Sequence, residues 1–225
     1  MATQILPARA DGGSTGRRGR VRLTDRGRTV AGLFSLDPTE RWAPATPVVD
    51  VPVEPGAVVL ITGPSGAGKT TLLRQTEAAM RARGMATLAL EAIPVDRRRA
   101  LIDTFPEPLE RALQALSRAG LSEARLLLRP PARLSIGEVF RYRLARFMAG
   151  TVPVLVADEF TATLDRVTAR VVAWQVGRFV RDSVRGAVPR AAVLATSHED
   201  VEEDLQPTVV VRLSAAGVSV DRKRE

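Results

Sequence analysis

One eight-residue stretch, Gly63-Pro64-Ser65-Gly66-Ala67-Gly68-Lys69-Thr70, limits what this chain can fold into more than any other. A glycine, four residues and then Gly-Lys-Thr stand between the apolar run Ala57 to Thr62 and a helically spaced set, Leu72, Leu73, Thr76, Ala79 and Met80. Strand, tight turn and helix are therefore predicted in that order. Glycines let the backbone curl until successive N–H groups point inward. A helix opening near Lys69 adds the positive end of its dipole, so the loop suits a chain of phosphates. Lys69 would reach the outer phosphates, the Thr70 hydroxyl would ligate Mg²⁺, and Thr71 is counted with the loop as a binding position.

A second signature lies downstream. Val152 to Ala157 is short and apolar enough for a fully buried parallel strand, and it delivers Asp158-Glu159 at its C-terminal end, where open α/β sheets bind ligands. Asp158 can hold the water shell of Mg²⁺, and Glu159 can act as base toward an attacking water. Another buried strand, Ala191 to Thr196, ends at Ser197-His198, which places the single histidine of the chain at the same sheet edge. Zero cysteines exclude disulfides and thiolate zinc sites. A metal here would take oxygen ligands, as Mg²⁺ does.

Between these signatures, Ala86 to Ile93 is expected to be the next strand, and residues 96–149 turn helical as a small subdomain. Pro108 sits at a helix start with Leu109, Leu113 and Leu116 on one face; Ser122 to Leu128 forms a second short helix. Leu134-Ser-Ile-Gly-Glu138 opens a third, turning Phe140, Leu144, Phe147 and Met148 inward. Ser135 and Glu138 have the spacing of a capping box, and Asp165 can cap the long helix that follows it, whose inward side reads Val167, Val171, Val172, Val176, Phe179 and Val180. Thr208 to Leu213 and Gly217 to Asp221 read as a terminal hairpin, an antiparallel edge on an otherwise parallel sheet. The fold class is α/β: a mainly parallel central sheet flanked by helices.

Composition bounds the rest. The 225 residues, 45% hydrophobic and 26% charged, suit one large globular domain, taken as 30–225. No apolar run approaches the roughly 18 residues of a membrane span and no signal-like segment opens the chain, so a cytoplasmic protein is expected. The net charge of +8 is concentrated at the start. Arg9, Arg17, Arg18, Arg20, Arg22, Arg26 and Arg28 face only Asp11 and Asp25, so residues 1–29 are expected to be a basic, solvated arm able to meet nucleic acid or an acidic partner. Val30 to Leu36 and the alternating Val49, Val51 and Val53 read as strand-like pieces held at an edge by prolines.

Taken together the motifs resemble those of the ABC-type ATPases, which carry a P-loop, a signature, a Walker B strand, a D-loop and a switch histidine in that order. Here they stand as GPSGAGKT, LSIGE, VLVADEF, ATLD and TSH, over roughly Val48 to Leu213. The resemblance implies that ATP and Mg²⁺ are bound between two copies of the chain, each P-loop facing the other copy's signature. Ser135 and Gly137 would contact the γ-phosphate across that interface, Asp165 would touch the facing P-loop, and His198 would act beside Glu159 and Lys69 in hydrolysis. Trp42, or Phe34, would stack on adenine. The pattern departs from the family's LSGGQ at Ile136 and Glu138, and no glutamine follows the strand ending near Ile93, where Asp103 is the substitute considered.

The interval between Thr70 and Leu134, about sixty residues, is short for a transporter's nucleotide-binding domain. The closest resemblance is to compact soluble ABC-type modules that are sometimes fused to an acetyltransferase domain. The leading expectation is therefore an ATP-dependent homodimer driving an unknown protein client. A subunit serving a membrane partner, and a nucleotide-dependent nucleic-acid-binding module, are the alternatives.

Overall fold

A computed structural model describes residues 4–6, 23–35, 49, 51–214 and 217–223. In chain order its elements are β1 (Gln4–Leu6), α1 (Asp25–Leu33), β2 (Val58–Thr62), α2 (Lys69–Ala82), β3 (Thr87–Ala89), α3 (Leu109–Arg118) and α4 (Ala124–Leu127). There follow α5 (Ile136–Ala149), β4 (Val154–Ala157), α6 (Arg166–Ser183), β5 (Ala191–Thr196), α7 (Glu202–Leu205), β6 (Val209–Ser214) and β7 (Gly217–Arg222). Seven strands form one sheet in the order β1-β7-β6-β2-β5-β4-β3. Pairing is parallel from β6 to β3, and β7 runs antiparallel to both β6 and β1.

Strand β2 shows why the sheet is covered on both faces. Its side chains alternate, Val58 and Leu60 toward one core and Val59 and Ile61 toward the other, and all four are fully buried. The first core is closed by α3, α5 and α6 through residues such as Leu116, Tyr142, Leu144, Phe147 and Val176. The second is closed by Leu72, Leu73 and Met80 of α2, with Val49 and Val51 packed beside them. Each parallel crossover returns the chain to the same edge, so β2, β4 and β5 all end where α2 begins.

Several expectations change. The strand-like piece at Val30 falls in α1 instead, because Thr24 caps the helix, its hydroxyl accepting from the Gly27 N–H at 3.5 Å, and Asp25 occupies the favourable first turn. Residues 25–29, expected in a solvated arm, are thus helical, with Arg28 paired to Asp25 at 2.7 Å, and β1 joins the sheet through β7. Arg9, Arg17, Arg18, Arg20 and Arg22 lie outside the described residues. Val51 and Val53 make no strand; proline 52 lacks the N–H a ladder needs, and Val49 and Val51 are held by burial alone. The strand expected over Ala86 to Ile93 is three residues long and breaks into a 3-10 turn at Leu90–Ala92.

The helix faces also shift. On α3 the inward residues are Ala112, Ala115 and Leu116, while Leu109 and Leu113 are exposed. On α6 they are Ala169, Val172, Ala173, Val176, Gly177 and Val180, leaving Val167 and Val171 in solvent. Small residues let the backbones approach closely, and at Gly177 they nearly touch: a Cβ there would lie 2.1 Å from the Leu205 carbonyl oxygen. Gly177→Ala is expected to destabilise the fold by about 1–3 kcal/mol, since the obstacle is backbone rather than a movable side chain. Denaturant unfolding of the two proteins checks this.

Candidate active site

The turn after β2 takes its shape from residues that cannot be exchanged. Gly63 has φ 145°, and a Cβ on it would sit 2.3 Å from the Leu213 carbonyl oxygen of the neighbouring strand. Gly68, at φ 96°, is the cap from which α2 starts, and its carbonyl accepts the Leu72 N–H at 2.9 Å. Lys69 lies across the loop, its ammonium donating to Gly63 O at 2.8 Å and Pro64 O at 2.9 Å. The loop thus exposes main-chain N–H groups and a cation together, the inventory that phosphate oxygens require.

These residues form one wall of a cavity of about 480 Å³. Ser65, Gly66, Gly68, Lys69, Thr70 and Thr71 line that wall, and Asp158, Glu159 and His198 line the opposite one. Gly63, Pro64 and Ala67 shape the loop from behind. Asp158 and Glu159 leave the end of β4 in a sharp turn: Glu159 has φ 46°, its N–H is donated to Asp158 Oδ1 at 3.0 Å, and the Phe160 N–H is donated to Ala195 O at 2.7 Å. A left-handed backbone at a non-glycine residue costs energy, and the buried Phe160 ring anchors it here. His198 follows β5 with extended backbone, φ −100°, its N–H donated to Thr196 Oγ1 at 3.1 Å.

Ser135, Gly137 and Asp165 do not line this cavity. Ser135 caps α5 with both halves of a capping box: its hydroxyl accepts from the Glu138 N–H at 3.3 Å, and Glu138 Oε2 accepts from the Ser135 N–H at 2.7 Å. Gly137 presses on the segment before Asp165, where a Cβ would lie 3.1 Å from Leu164 Cδ2 and 3.3 Å from Thr163 O. Asp165 caps α6, its Oδ1 accepting from the Thr168 N–H at 2.9 Å. The starts of α5 and α6 therefore sit side by side, outside the cavity that the chain's own P-loop lines. Trp42 lies outside the described residues, and Phe34 is an exposed residue at the end of α1.

One residue escaped the sequence reading. Glu91, in the 3-10 turn directly after β3, accepts the Asp158 N–H on its Oε1 at 3.3 Å. Neither Glu91 nor Asp103 lines the cavity itself, and Glu91 reaches it only through the Asp158 N–H. The signal was available in Leu90-Glu91-Ala92, but placing the strand end at Ile93 hid it.

A phosphate-cradling turn facing a carboxylate pair and a histidine at the carboxyl edge of a parallel sheet defines a P-loop nucleotide hydrolase. No protein-family profile matches the chain. It is 34% identical over 180 residues to the lipoprotein-releasing system ATP-binding protein LolD of Maricaulis maris, an alignment covering 64% of this chain and 76% of that protein. It is 32% identical over 199 residues to LolD 1 of Rhodospirillum rubrum, covering 72% and 84%. The zinc import ATP-binding protein ZnuC of Jannaschia sp. is 35% identical over 164 residues, 67% of this chain and 65% of that one. Among solved structures, the dimeric bacterial ABC transporter cassette MJ0796 superposes with a TM-score of 0.59 over 80% of this chain and 91% of that chain, at 20% identity, a likeness of fold. The chain belongs to the ABC-type ATPases, and hydrolysis of ATP is its activity.

The capping box carries a pH signature. The Ser135 N–H beside the Glu138 carboxylate, and then the Ser135 hydroxyl, hold Glu138 below the ordinary carboxylate range. Because the folded value is depressed, the stabilisation is complete above the unfolded pKa and is lost as pH falls through the folded one. The stability difference between the parent and Glu138→Gln is expected to be largest near neutrality and to shrink progressively as pH falls below the ordinary glutamate value of about 4.3; urea titrations across pH check it. At the other site, Glu91→Ala removes the acceptor of the Asp158 N–H and is expected to slow hydrolysis about three- to tenfold, the worth of one such bond, with nucleotide affinity little changed. Glu91→Gln, keeping an oxygen there, retains most of the rate in a steady-state phosphate-release assay.

Proposed function

We propose that the chain is the ATP-hydrolysing subunit of an ABC transporter, acting as a head-to-tail homodimer beneath a membrane-spanning partner. The observation that carries this is the set of relatives: each is the ATP-binding protein of a system that releases lipoprotein or imports zinc, and this chain spans three quarters or more of both LolD proteins. The short interval between Thr70 and Leu134, which favoured a soluble client, does not weigh against that similarity. No helix among the described residues is long and apolar enough to cross a membrane, so the spanning part falls to a partner.

The dimer follows from the arrangement of donors. Ser135 and Gly137, at the exposed start of α5, cannot serve the cavity of their own chain, yet a capped helix N-terminus is suited to a γ-phosphate. A second copy, rotated head to tail, brings them over the open side of the P-loop, with Asp165 beside them. Thr70 and Asp158 would hold Mg²⁺, which would supply charge neutralisation to the phosphate oxygens. Lys69 leaves the loop carbonyls for those oxygens, Glu159 takes the proton of the attacking water, and His198 positions water and γ-phosphate. Closing the site from the second chain excludes bulk water from the reaction.

Glu159→Gln is expected to keep Mg-ATP binding while turnover falls about a hundredfold or more, the worth of a general base, and to run as a dimer with ATP on a sizing column. Lys69→Ala is expected to lose nucleotide binding in a fluorescence titration. A Glu159→Gln protein that stays monomeric with Mg-ATP present overturns the sandwich. Failure of that trapped form to co-purify with any multispan membrane protein overturns the transporter role and leaves the sandwich intact.

A further inference from the structure

At the opposite end of the sheet lies a second cavity, of about 270 Å³. Three arginines line it: Arg111 and Arg118 from α3, and Arg190, the residue just before β5. No acidic side chain contributes to its wall. Arg190 is 3% exposed, and its guanidinium donates to the carbonyl oxygens of Val152 and Gly150. Arg111 donates to the same Gly150 oxygen at 3.3 Å. Those acceptors are neutral carbonyls, and the Glu107 carboxylate, beside Gly150, forms no ion pair with the arginines among the described residues. Among the described residues none of the three arginines is paired with a carboxylate.

The cations are fixed rather than splayed. Arg118 and Arg190 both lie over the Phe179 ring, each 5.9 Å from its centroid, and Arg190 also lies over Phe147 at 5.3 Å. Burial first, and then the neighbouring charge of Arg111, push the Arg190 guanidinium below its ordinary pKa. Thr151 also lines the cavity, while the Ser183 hydroxyl is engaged, donating to Val180 O at 2.6 Å and accepting from the Arg190 N–H at 2.7 Å. Guanidinium forks on an aromatic floor suit a group with several charged oxygens.

We propose that this cavity binds a small polyanion of the phosphate or phosphate-ester type, held by Arg111, Arg118 and Arg190. The site is separate from the nucleotide cavity, since β5, six residues or roughly 20 Å long, lies between Arg190 and Ser197. It joins α3, in the helical part, to the sheet and α6, so an occupant would tie those parts together.

Calorimetric titration of pyrophosphate into the Lys69→Ala protein, whose P-loop is disabled, tests the proposal. Binding is expected to weaken tenfold or more in Lys69→Ala carrying Arg111→Ala and Arg118→Ala as well. It is also expected to weaken severalfold on raising salt from 50 to 300 mM. Arg118→Glu in the Lys69→Ala background changes one exposed side chain without touching the Gly150 contact, and is expected to give a comparable loss. Citrate, a carboxylate of similar charge, is expected to bind less tightly than pyrophosphate. No binding to the Lys69→Ala protein, equal affinity with and without the arginines, or a preference for citrate overturns it.

Discussion

The structure depends on the complete burial of β2. Val58, Val59, Leu60, Ile61 and Thr62 expose nothing to solvent, lie between β5 and β6, and meet a different core on each face. Burying side chains of this size contributes about 1.5–3 kcal/mol each, and a central parallel strand gains it on both sides of the sheet. That density leaves one way out for the backbone at Thr62. Gly63 must pass within contact of the Leu213 carbonyl oxygen, and the turn that follows is the phosphate loop. Core packing and the nucleotide cavity are consequences of one placement.

The other groups that line the cavity come from the same rule. In a parallel sheet with helical crossovers every strand ends at the same edge, so Asp158 and Glu159 after β4, and His198 after β5, arrive opposite Lys69 and Thr70 without any long loop. Backbone hydrogen bonds then set them: the Phe160 N–H reaches Ala195 O, tying the turn after β4 to β5. Glu91 arrives through β3 and takes the Asp158 N–H, which adds a third carboxylate to the edge. Ser135 and Asp165, which lie outside the cavity, cap α5 and α6 and satisfy N–H groups in their first turns.

Legibility varied with how local the cause was. The P-loop, the buried strands β2, β4 and β5 and the caps at Ser135 and Asp165 were readable because a few adjacent residues fix them. The region before Val58 was misread: Val30 looked strand-like by composition, yet the cap at Thr24, six residues earlier, sets a helix there. On α6, a valine-rich pattern suggested that Val167 and Val171 face inward. Ala169, Ala173 and Gly177 join Val172, Val176 and Val180 on the core face instead, and at Gly177 the Leu205 carbonyl leaves no room for a Cβ. Periodicity shows that a helix has two faces; which face is buried depends on the shape of what it meets.

By itself, then, the sequence determined the chemistry and its order along the chain: a loop for phosphates, an acidic pair after an apolar strand, a histidine after the next. Those are local properties of backbone turns, burial and charge. Only the tertiary structure decided what shares a space. It set Glu91 against Asp158 across 67 positions of chain, and it gathered Arg111, Arg118 and Arg190 in one cavity, the last two over the Phe179 ring. Such neighbours are created by strand order and helix packing, which no spacing along the chain encodes.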